Sequence, residues 1–150
     1  MLRLVLFEFI LLVPCAYALW RGGGPERVAS ITFLVAATLT EIVCRPHATR
    51  FVQIETGITT VDTAVLIVML ALALFSERFW PIWMAAMAGI IVLTHVSMLF
   101  GLSLKAWAYW RSQALWSYPM QLLLALATWR HHARLRRTGA DPSWRRFFAR

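Results

Sequence analysis

The chain has 150 residues and a formal net charge of +8, with 60% apolar residues and a mean hydropathy of +0.64. Soluble domains hold roughly half apolar residues, and a chain this short has too little interior to hide several long apolar runs. These numbers argue against a soluble globular enzyme and for the bilayer as solvent.

Five apolar runs follow one another in chain order. The first is Leu4 to Trp20, with Pro14 inside it, ended by Arg21-Gly-Gly-Gly-Pro-Glu-Arg27. Arg3 and Ala16-Tyr17-Ala18 give this run some likeness to a cleaved signal peptide. Glu8 interrupts its apolar region, so a membrane span is expected instead. Pro25 and Glu26 suit the first turn of a second helix, whose apolar part is Val28 to Cys44. The third run is Ile58 to Ser76 and is closed by the turn Glu77-Arg78-Phe79-Trp80-Pro81. The fourth is Ile82 to Gly101, where Ala85 and Gly89 form a small-x-x-x-small pair that permits close helix approach. The fifth is Ser112 to Trp129, with Pro119 inside. Each run meets the roughly 17–25 residues that a spanning helix needs. The expected fold is an all-α integral membrane bundle of about five transmembrane helices over residues 1–130, followed by a basic tail, residues 131–150.

Seven arginines lie between Arg130 and Arg150; without them and Asp141 the net charge falls from +8 to about +2. The basic character thus belongs to the tail and does not point to nucleic acid. Arginines concentrate on the cytoplasmic side of membrane proteins. Arg21, Arg27, Arg78 and the tail outweigh Arg3, Arg45, Arg50, Lys105 and Arg111, so the N-terminus is expected outside and the C-terminus inside. Trp20, Trp80, Trp83, Trp107, Trp110 and Trp129 fall near run ends, where aromatic belts form.

Ionisable residues inside a bilayer cost roughly 2.5–3.5 kcal/mol each and usually face the protein interior. Glu8, Glu41, Asp62 and His95 stand one on each of the first four runs. In the expected orientation all four fall within roughly 6–9 Å of the outer boundary, at about 1.5 Å per residue. Glu55, Thr59 and Asp62 share one helical stripe, as do Arg111, Tyr118 and Gln121. An outer-leaflet polar cluster of Glu8, Glu41, Glu55, Asp62, His95, Arg111 and Tyr118 is therefore expected, either pairing helices or binding a ligand. No metal site is expected, since no Glu-x-x-His pair of the di-metal bundles occurs. No cofactor is expected either; His95 as an axial ligand to haem or a chlorophyll-type pigment is the chemical alternative. No Ser or Cys stands at a nucleophile's spacing from His95. In the tail, Arg134, Arg136, Arg137, Trp144, Arg145 and Arg146 suit contact with anionic lipids or a partner.

The stretch Glu77-Arg-Phe-Trp-Pro-Ile-Trp83, then Thr94-His95, Trp116-Ser-Tyr-Pro119 and Thr128-Trp-Arg130, resembles small multipass bacterial inner-membrane proteins of unassigned activity. Gly57 and Asp62 fit the same pattern, which covers residues 50 to 145. The resemblance implies a bacterial inner membrane and draws attention to Asp62, Arg78, Trp80, His95 and Tyr118. The function expected from size, short loops and missing catalytic spacing is a non-enzymatic accessory or interaction protein, a partner of other membrane chains. The alternatives are a binding or transport protein for a proton, cation or small polar ligand at the outer cluster, and a membrane enzyme with His/Asp acid–base chemistry.

Overall fold

The structure is a computed structural model and describes residues 2–43, 56–99 and 106–145, with side chains for 7–43, 56–98 and 115–145. Among the described residues the chain is all-helical, without named strands. The helices are α1 (Leu2–Arg21), α2 (Gly24–Val43), α3 (Thr56–Phe75), α4 (Trp80–Leu99) and α5 (Ala106–Thr138). Each helix holds one expected run: the first and fifth lie wholly inside α1 and α5, the third ends one residue past α3, and the ends of the second and fourth lie outside the described residues. α2 starts beside Pro25, whose missing N–H is one of the first-turn donors that no helical carbonyl would accept. α5 is longer than its apolar run: it passes through Pro119, continues for 33 residues and stops at Gly139. There φ reaches +72°, which glycine adopts without Cβ strain, and the Gly139 N–H donates to the Leu135 carbonyl at 3.0 Å.

The helices form a closed ring. Each packs on its neighbour in sequence, α5 closes against α1, and α2 meets α5 across the ring. The centre is filled by Cys15, Met69, Met84 and Leu124. Ala18, Ala29, Ala85, Ala88 and Ala127 are buried between helices, where small side chains let backbones approach. Gly89 does not serve this purpose: a Cβ there would meet only Leu66 Cδ1, at 4.0 Å.

Outside, the bundle is apolar. Phe9, Ile42, Ile67, Leu74, Leu93, Leu115 and Leu122 are 61–77% exposed and occur on all five helices. Among the described residues α3 and α4 are long and apolar enough to cross a membrane. α2 departs from that composition through Glu26, Arg27 and Glu41, and the end of α5 through Arg130, Arg134, Arg136 and Arg137.

Candidate functional site

Ionisable side chains gather in two layers, one near each end of the ring. The first joins α3 to α4. His95 Nε2 lies 2.8 Å from Asp62 Oδ2; the imidazole is fully buried and the carboxylate side chain is 22% exposed. The antiparallel packing of α3 and α4 sets this register: Asp62 lies six residues from the start of α3, and His95 four from the end of α4. With the carboxylate ionised, Nε2 must carry the hydrogen and donate it.

The other expected members of this cluster are not joined to it by any hydrogen bond or ion pair among the described residues. Glu8 is exposed near the start of α1. Glu41 is exposed because the buried stretch of α2, Pro25 to Phe33, ends well before it. Tyr118 packs edge-on against Phe7 of α1, with ring centroids 5.7 Å apart. Glu55 and the Arg111 side chain lie outside the described residues. Among the described members, Asp62 and His95 are the two that the structure brings together.

The second layer lies at the opposite end, and its hub is Arg78, buried in the four-residue turn between α3 and α4. Its backbone N–H donates to Ser76 Oγ at 3.3 Å, shaping the turn. Its Nη1 donates to Asp141 Oδ2, which follows α5. Its Nη2 meets His131 Nδ1 of α5 at 2.8 Å and donates to the Asp141 carbonyl at 3.3 Å. Its Nε stands 3.6 Å from Glu26 Oε1 on α2. Glu26 lies in the first turn of α2, where the helix dipole favours a carboxylate, and its Oε1 accepts from Trp80 Nε1 at 3.1 Å. Asp141 Oδ2 also lies 2.7 Å from His131 Nδ1 and accepts from Arg134 Nε at 3.2 Å. Burial pushes the Asp141 carboxyl up; hydrogen bonds from Arg78 and His131, the Arg78 charge and Arg134 outweigh it and hold the pKa below the ordinary value. Glu26 Oε2 and Arg78 Nε remain without hydrogen-bond partners.

The chain after α5 folds back over this layer. Ser76 and Trp144 form an isolated antiparallel bridge, with Arg145 N–H on the Phe75 carbonyl at 2.9 Å and Arg145 Nε on the Ser76 carbonyl at 3.0 Å. The glycines between α1 and α2 make room for it. A Cβ at Gly24 would stand 2.7 Å from the Trp144 ring nitrogen. One at Gly23 would stand 2.9 Å from Ser143 Oγ and 3.0 Å from Glu26 Oε2.

The tail residues expected to meet lipid or a partner fall in different places. Arg134 and Arg145, read in the sequence as lipid or partner contacts, bond within the chain because Asp141 and the carbonyl at the end of α3 stand beside them. Trp144 is partly exposed but packs on Gly24. Arg136 and Arg137 remain exposed, and Arg146 lies outside the described residues. The one acid among the tail arginines was the sequence signal for this fold-back. No group of three metal-ligating side chains occurs among the described residues. The chain matches no protein-family model, no curated protein and no solved structure, so the functional argument rests on its geometry.

Proposed function

We propose that the chain is a multipass protein of a bacterial inner membrane and serves there as a non-enzymatic accessory or interaction subunit. In this reading all five helices cross the bilayer, with the N-terminus outside and the C-terminus inside. The large apolar side chains exposed on every helix support it, since soluble monomers rarely present so much contiguous apolar surface. Arg21, Arg27, Arg78, Arg130, Arg134, Arg136, Arg137 and Arg145 share the tail end of the ring, as the inside bias of arginine asks.

The observation that carries the accessory role is the dry middle of the bundle. Met69, Met84 and Leu124 are fully buried there; the buried polar side chains of α2 and α5 above the network, Ser30, Gln121 and Thr128, are uncharged, and Ser30 and Thr128 bond backbone carbonyls, so among the described residues no charged side chain links the two layers. A proton or ion path needs polar groups through both halves. Two closed layers instead fix the register of the helices, leaving the outer faces for lipid and for other chains. The test is native mass spectrometry of the full chain, extracted in mild detergent from its own host. Stoichiometric partner chains are the expected result. A partner-free chain carrying an extra mass other than a phospholipid would sink the accessory reading.

One observation favours a second reading. Asp62 opens to the surface while its partner His95 is sealed. That asymmetry suits a shallow site for a proton, a cation or a small polar ligand, with His95 holding the carboxylate in place. In that case Asp62→Asn would remove the extra mass while leaving the folded protein at normal levels.

A further inference from the structure

Beside the buried layer lies a cleft of about 590 Å³ between the first turn of α4, one face of α5 and the returning segment after it. Its α5 wall changes character along the helix. Leu123, Leu126 and Ala127 line its apolar part, and Arg130 and Arg134 follow on the same stripe. Trp83, exposed, stands on the α4 side. The gradient from apolar to basic over three turns is the profile of an amphiphile with an anionic head.

The charges on the cleft can be assigned one by one. Arg78 and Asp141 neutralise each other. Arg134 uses Nε on Asp141 and keeps its terminal nitrogens for another acceptor. Arg130 is exposed and has no ion pair among the described residues. Glu77, exposed, sets one negative charge against these two arginines. Over the groups that line the cleft the balance is one positive charge; Glu26 pairs with Arg78 but does not line it. Basic pockets between membrane helices on the cytoplasmic side bind phospholipid headgroups in this way.

We infer that this cleft binds a singly charged anionic phospholipid, its phosphate between Arg130 and Arg134 and one acyl chain along Leu123 and Leu126. The inference rests on the membrane reading above and narrows it from general attraction of a basic tail to one defined site. Lipid here would brace α5 against α4 beside the Arg78 turn.

The experiment is native mass spectrometry of the full chain in neutral detergent, with dioleoyl phosphatidylglycerol or dioleoyl phosphatidylethanolamine added at equal concentration. The phosphatidylglycerol adduct should survive collisional activation at least about fivefold better. Arg130→Gln, at an exposed position, should reduce that ratio to near one without changing helicity. Arg27→Gln, the same charge loss at the same end of the bundle, should leave it unchanged. Equal retention of the two lipids overturns the site, and so does an equal loss with Arg27→Gln, which would show diffuse attraction. Suppression of the preference by millimolar inorganic phosphate would assign the arginines to a soluble anion and overturn the lipid. An alkaline carbonate wash separates the two levels: a chain released from membranes fails the membrane reading itself. A retained chain without lipid preference fails this inference alone.

Discussion

A buried guanidinium is tolerated where its N–H groups and its charge meet partners, and at Arg78 those partners come from three separate parts of the chain. Removing one member of such a group leaves the others buried and uncompensated. Arg78→Met should therefore destabilise the bundle by about 3–5 kcal/mol, since Glu26 would keep only Trp80 as a partner. Chemical unfolding in detergent measures this. The double variant with Glu26→Gln should cost less than the sum of its parts, because the two side chains share one interaction. Asp141 makes the same contacts dependent on acid. Docking lowers its pKa, so the docked tail holds a proton more weakly than the free tail. Its stabilisation is complete above the free carboxylate value of about 4 and is lost as pH falls through the lowered value. Trp144 fluorescence, taken as the difference from Trp144→Phe, should hold steady from pH 7 to about 5 and change only at more acid pH.

The elements differ in how openly the sequence announced them. Long apolar runs bounded by charge and proline are strong signals, and all five helices follow from them. Asp62 and His95 were visible for the same reason, as ionisable groups inside apolar stretches, and the structure pairs them. The resemblance drew attention to Arg78, and Glu26 read as a first-turn acid, but their link was hidden because charges at the ends of spans are what any membrane helix carries. The fold-back of the tail was hidden further still, since seven arginines with one aspartate read as a basic tail for anionic lipids or a partner. Glycines 22–24 read as part of the loop that ends the first run, yet Gly23 and Gly24 act as space for Ser143 and Trp144. Gly24→Ala presses only on the partly exposed Trp144 ring and should loosen the tail while leaving the bundle intact. Gly23→Ala presses on Glu26 and Ser143 and should cost more, about 1–3 kcal/mol, because the Glu26 carboxylate is fixed by its own contacts. Thermal unfolding of the two variants, compared side by side, checks the order.

At the scale of the whole molecule, the ring is held at one end by a hydrogen-bonded His–Asp pair and at the other by a buried ion network, with an apolar centre between them. The network is also ordered in time. Glu26 and Arg78 leave the ribosome early, but Asp141 follows the whole of α5. From the synthesis of Arg78 to that of Asp141, 63 residues later, the guanidinium has one carboxylate where the folded chain gives it two. The turn between α3 and α4 therefore stays incomplete until Asp141 arrives. A chain clipped between Thr138 and Asp141 would keep every helix and lose this closure. Arg78 would then keep Glu26 and His131 and lose Asp141, so one cut in an exposed linker would reach a buried guanidinium 63 residues away along the chain.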